Sequence, residues 1–220
     1  MGGRWTSCHS SPAPFMPTAI SWRLPVISPG DTLVNPVSGE TLTFVDTAAQ
    51  TGGDYTVVEC RVQPGGGVPM AHVHPHQSET FEVLEGELTL RAGRDKLVAR
   101  PGDVVTVMPG QVHKFWNAGE SVARFRCTVT PALEFERFIE TMFALAADGK
   151  LSKRGMPSPL RLAVIANAHF ADSRAPYLPA WLQKAGLATG AALGGLLGHE
   201  ATYERHAPEA PAPTYEPATA

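Results

Sequence analysis

Cysteine is nearly absent: Cys8, Cys60 and Cys127 are the full complement, and no two of them form a CxxC pair. An odd, widely spaced set gives no disulfide framework. Cys60 (TVVECRV) and Cys127 (RFRCTVT) sit in strand-like runs, where a thiol serves as a small apolar filler. Charge is scarce as well, at 18% of residues with a formal net charge of −3. That balance offers no general attraction to nucleic acid or to an anionic membrane. No apolar run approaches the roughly 20 residues of a spanning helix. The opening MGGRWTSCHSSPAPFMPTAISW lacks the continuous apolar stretch of a secretory signal. Gly2 and Thr6, with Cys8 nearby, fit only the short and often accidental myristoylation pattern. These absences make a cytoplasmic, soluble protein the expectation.

Glycine and proline, by contrast, are plentiful, at 21 and 20 of 220 residues. They favour short strands joined by tight turns. Residues 1–29 are rich in Ser, Pro and Ala without periodicity and read as a disordered arm. Residues 30–130 carry β-like runs: TLTFVD (41–46), YTVVECRVQ (55–63), AHVH (71–74), TFEVLEG (80–86), ELTLRA (87–92), DVVTVM (103–108), VHKFWN (112–117) and ARFRCTVT (123–130). The turns between them (PGGGVP, EGE, RPGD, PGQ, NAGE) make an antiparallel sandwich or barrel the expected architecture.

From Pro131 the period changes. PALEFERFIETMFALAADG suits a helix, with Phe135, Phe138, Met142 and Leu145 on one face, a start at Thr130–Pro131 and a stop at Gly149. Further helical segments are expected at about 159–170 and 179–199, giving a helical extension over 131–205 and a Pro/Ala tail over 206–220. The last segment carries Gly186, Gly190, Gly194 and Gly198 at a spacing of four. Such a stripe permits close backbone approach, here to the sheet, to the first helix or to a second copy. Its uncharged run, Ala185 to Gly198, could also lie on a membrane surface but is too short to span one.

The chemistry concentrates in MAHVHPHQSETFEVLEG, which holds three of the eight histidines. On a strand, side chains at i and i+2 share a face, so His72 and His74 point one way and Val73 the other. Two neutral imidazoles can then reach one cation at roughly 2.0–2.2 Å. Glu79 follows the PHQS turn and can swing a carboxylate oxygen to the same point, while Pro75 redirects His76. His113, in another β-like run, is the fourth candidate, with Phe115 on its side of the strand and Trp116 opposite. Three imidazoles and one carboxylate suit Fe, Mn, Ni, Cu or Zn and are too nitrogen-rich for Mg or Ca. Core histidines would not need a buried, unpaired Glu79, which is costly. His9, His169, His199 and His206 read as ordinary surface or interface residues.

Residues 66–117 resemble the two motifs of the cupin superfamily. Gly66, His72, His74, Glu79 and Gly86 match the first; Gly102, Gly110, His113 and Asn117 match the second, where Met108 stands in place of a proline and Pro109 follows. The wider resemblance, from about Asn35 to Tyr203, is to single-domain bacterial cupins with a helical C-terminal extension. It implies an all-β jelly-roll barrel with an α-helical extension, a metal ion held in the barrel mouth by His72, His74, Glu79 and His113, and a homodimer.

The leading expectation is a mononuclear metal-dependent oxidoreductase, a dioxygenase, acting on a small organic molecule. Glu79 is the ligand best able to double as a catalytic base. Phe81, Val83 and Phe115 would line an apolar substrate pocket by strand parity, unless they simply fill the core. Redox-neutral isomerisation or cyclisation on the same site, and ligand binding without turnover, are the alternatives. A DNA-reading role is not expected, since the helices after Pro131 are not basic.

Overall fold

The computed structural model describes residues 27–204. The myristoylation pattern, Cys8, His9, His206 and the Pro/Ala tail lie outside the described residues. In chain order the elements are β1 (Thr32–Asn35), β2 (Glu40–Asp46), α1 (Ala48–Thr51), β3 (Thr56–Val62), β4 (Ser78–Glu85), β5 (Leu88–Ala92), β6 (Asp95–Ala99), β7 (Val104–Val107), β8 (His113–Trp116) and β9 (Ala123–Thr130). The helices α2 (Phe135–Ala147), α3 (Pro159–Ala168) and α4 (Ala180–Leu196) follow. A six-stranded antiparallel sheet runs β1-β2-β3-β9-β4-β7, and a three-stranded one runs β6-β5-β8. This is the jelly-roll architecture with a helical extension.

Alternation along the strands builds the core. On β9 the odd positions Ala123, Phe125, Cys127 and Val129 are buried, while Arg124 and Arg126 face outward. β4 buries Glu79, Phe81 and Val83, and register places Phe81 opposite Cys127 and Val83 opposite Phe125. Most of the interior is therefore apolar, and Glu79 is a carboxylate inside it. Cys60 and Cys127 belong to this core as small fillers, and burial pushes both thiols well above their ordinary range. Ile27, at the end of the stretch read as an arm, is buried in the same cluster.

Several expectations need correction. AHVH is not a strand of its own: only His72 and Val73 make isolated bridges, to His113 and Arg174. Two strands lacked a sequence signal. β1 is an edge strand of four residues, too short for its alternation to stand out, and β6 is charged and largely exposed, with no alternation to read. β6 is joined to β5 through Gly93-Arg94, with Gly93 at φ +63°, a conformation that favours glycine. The first long helix begins at Phe135, not at Pro131, because β9 holds the chain through Thr130. The Gln77 amide then engages the carbonyls of Pro131 and Ala132 before the helix starts.

The glycine stripe of α4 lies on α3, not on the sheet or on α2. A Cβ at Gly190 would stand 2.7 Å from the Ala163 Cβ; one at Gly194 would stand 2.6 Å from Val164 and 2.8 Å from the Leu160 carbonyl. Gly186 and Gly198 meet nothing within 4 Å. No helix among the described residues is long and apolar enough to cross a membrane.

Candidate metal centre

His72, His74, Glu79 and His113 come together. One ligand atom from each lies within 4.8 Å of the others, so the group could hold a metal ion. Each arrives for a local reason. Glu79 is on the inward face of β4, opposite Val129 of β9. His113 opens β8 and exchanges backbone hydrogen bonds with His72, N–H to carbonyl at 3.0 Å in both directions. The His74 carbonyl accepts the Gly110 N–H at 2.8 Å, which ties the first motif to the second. Gly66 has a steric reason, since a Cβ there would stand 2.4 Å from the Ser38 carbonyl oxygen. Asn117 is fully buried and its side chain bonds Val62, Ser121 and Gly119, so its role is to fold the loop.

Protonation is legible from the second nitrogen of each ring. His72 Nδ1 lies 3.2 Å from the Met70 carbonyl, His74 Nδ1 2.6 Å from that of Asp172, and His113 Nδ1 3.1 Å from that of Gln111. A carbonyl oxygen only accepts, so all three Nδ1 atoms carry hydrogen and the Nε2 atoms are left as the ligating lone pairs. His113 Nε2 stands 2.8 Å from one Glu79 oxygen and His74 Nε2 3.4 Å from the other. With the protons on Nδ1 neither contact is a hydrogen bond, and both buried nitrogens lack a hydrogen-bond partner. Imidazole lone pairs and a carboxylate aimed at one point repel unless a cation sits between them. The donor set therefore fits a divalent transition-metal ion.

The electrostatics agree. Burial, with His113 and His74 adjacent, pushes the His72 imidazole down to about 3, which keeps it neutral. Burial alone would raise Glu79, but His74 and then His113 outweigh it and hold the carboxyl well below its usual range. For His74, burial is outweighed by Glu79 and by the Asp172 carbonyl, so its affinity for a proton rises. A proton at this centre and a metal ion compete for one place.

Phe81 and Val83 are 1% exposed and Phe115 is half-buried. The rings of Phe81, Phe115 and Phe125 pack with centroids 5.3–5.7 Å apart. Trp116 lies between Lys96 and Lys114 on the other side of β8, and His76 is exposed. His169, expected as an ordinary surface or interface residue, is only 3% exposed; it caps α3 beside Asp172 and Phe138. His199 is half-buried. A groove of about 440 Å³ lined by Val45, Asp46, Tyr55, Val57, Arg126, Thr128 and Thr130 opens on the outer face of the large sheet and includes none of the four site residues. The sequence reading missed Asp172, Met70 and Gln111. All three act through backbone carbonyls, which no side-chain pattern reveals.

Residues 58–129 match the family model described as Cupin domain. No curated protein matches the chain. Solved structures similar to it include a predicted oxalate decarboxylase from Thermotoga maritima, 18% identical over 47% of this chain and 92% of that one, with a TM-score of 0.42. A sugar phosphate isomerase from a cupin superfamily, of Silicibacter pomeroyi, is 26% identical over 48% and 67%, with a TM-score of 0.38. The polyketide cyclase RemF from Streptomyces resistomycificus is 21% identical over 48% and 70%, also at 0.38. None of these likenesses bears on the reaction.

Proposed function

We propose that this chain, which belongs to the cupin superfamily, binds one divalent transition-metal ion (Fe, Mn, Ni, Cu or Zn) and works as an oxygenase-like enzyme on a small organic molecule. His72, His74, Glu79 and His113 would hold the ion. The observation that supports this is the convergence of unpartnered imidazole nitrogens on a buried carboxylate. When bound, such an ion supplies Lewis acidity toward a substrate oxygen, and iron or copper can also engage dioxygen.

The chain's own residues would do the rest. Backbone carbonyls hold the three imidazoles in one tautomer, so no ligand has to reorient. Glu79, the carboxylate of the cluster, is the group to accept a proton from an acidic hydroxyl of the substrate. The adjacent His74 and His113 hold it ionised, which is the form that accepts a proton. Phe81, Val83 and Phe115 form the apolar wall of the interior next to Glu79, and we assign the substrate's apolar part to the half-buried Phe115, with the enclosed Phe81 and Val83 backing it. The working form we propose is a cytoplasmic homodimer, and a monomer in sedimentation at micromolar concentration would count against it.

The test has two stages. Elemental analysis of freshly purified protein should give about one transition-metal ion per chain, with loss of that ion in His74→Ala. Oxygen uptake by loaded protein is then followed with phenols, diketones and flavonoids. Uptake dependent on His74 supports the oxygenase reading. Turnover under nitrogen moves the site to isomerisation or cyclisation, and saturable binding without turnover makes it a binding module.

A further inference from the structure

The tripeptide His72–Val73–His74 belongs to no named strand, yet it is hydrogen-bonded along both edges. On one edge His72 exchanges a pair of backbone hydrogen bonds with His113. On the other, Val73 N–H donates to the Arg174 carbonyl at 3.0 Å and Arg174 N–H donates to the Val73 carbonyl at 2.9 Å. Arg174 lies in the connection between α3 and α4, far downstream of the barrel strands. The same connection reaches the centre again, where the Asp172 carbonyl accepts the His74 Nδ1–H at 2.6 Å.

The three histidines differ here. His72 and His113 bond carbonyls two residues before themselves, in their own loops. The partner of His74 is 98 residues away. Orientation of this one ligand therefore depends on where the helical extension docks. The connection is itself held against α2 at its start and braced internally along its length. The buried His169 ring lies 5.3 Å from the Phe138 ring of α2, with Nδ1 3.6 Å from Asp172 Oδ2. Arg174 Nε donates to the Phe170 carbonyl at 2.9 Å, and its guanidinium stands 4.4 Å over the Phe170 ring.

We propose that the segment His169–Arg174 is a clasp that positions His74 for the metal, with His169 and Arg174 as its positioning residues. The helical extension is then part of the centre. This rests on the reading that the four residues bind a metal ion. Partners that orient a ligand in this way change metal affinity by roughly 10–100-fold when removed.

The experiment uses the full chain loaded with Co(II), and compares wild type, His169→Ala and Arg174→Ala. Proton NMR of the cobalt protein shows one exchangeable, hyperfine-shifted Nδ1–H signal per ligating histidine, and the signal absent from His74→Ala identifies that ring. In wild type the expectation is three such signals. In each clasp variant the His74 signal alone should move or broaden by solvent exchange, with the Co(II) Kd raised about tenfold or more. Unchanged Kd and three unchanged signals, beside a lowered melting temperature, would show that the clasp only packs, and would overturn the proposal. Wild-type protein that takes up no Co(II) overturns the metal reading and the clasp together. Arg174→Ala leaves the backbone bridge and the buried His169 in place, so it decides the matter if His169→Ala does not fold.

Discussion

At the scale of single residues, two kinds of side chain share the barrel interior, and they separate by experiment. Phe81 is 1% exposed and packs against the rings of Phe115 and Phe125 at 5.7 Å. Truncation there removes a fully enclosed ring, so Phe81→Ala should cost about 3–5 kcal/mol in urea unfolding. A cost under about 1 kcal/mol would mean that the ring faces open space and that Phe81 is pocket wall before it is core. Glu79 presents the opposite case. Without a cation, its charge is balanced only by neighbouring imidazoles. Glu79→Gln keeps the shape and removes the charge, so metal affinity should fall by at least the roughly 10–100-fold seen for lost supporting partners. Metal-free stability should change far less, and isothermal titration beside urea unfolding measures both. The ligands were legible in the sequence because i, i+2 parity and the Glu79 offset are side-chain facts. Asp172 was not, because what it gives the site is a carbonyl, and any residue has one.

At the scale of elements, legibility follows burial pattern. β9 and β4 alternate cleanly and were read within a residue or two, whereas β6 exposes four of its five residues and left no periodic trace. The α4 stripe was visible as a spacing, but spacing alone does not say what lies across it. Contact with α3 does, and it divides the four glycines. Gly194→Ala would drive a methyl to 2.6 Å from Val164 and 2.8 Å from the Leu160 carbonyl, so the helices must part, at a cost of about 1–3 kcal/mol. Gly186 meets nothing within 4 Å and sits inside a helix, where Gly→Ala gains about 0.5–1 kcal/mol. Urea unfolding of the two variants should therefore give shifts of opposite sign. Equal shifts would mean that α4 does not lie on α3 along this face.

On the scale of the whole molecule, the centre joins parts that are distant in the chain. His72 and His74 precede β4, Glu79 lies in β4, His113 opens β8, and Asp172 follows α3. An ion bound by the folded arrangement has no comparable site in the unfolded chain, so its binding free energy adds to folding stability. With free metal at a hundred times Kd, that addition is about 2.7 kcal/mol. For a chain of this size it corresponds to a rise in melting temperature of about 5–10 °C. Differential scanning calorimetry of metal-free protein, with and without Zn(II), Ni(II) or Mn(II), should show that rise for at least one ion and its reversal by a chelator. His74→Ala and Glu79→Gln should lose most of it. Because the α3–α4 connection is hydrogen-bonded to the ligand loop, the rise should extend to the helices. Amide exchange in α3 should slow on metal addition along with exchange in β4 and β8. Protection confined to the strands would mean that the extension opens independently of the barrel, leaving His74 without its remote partner for part of the time.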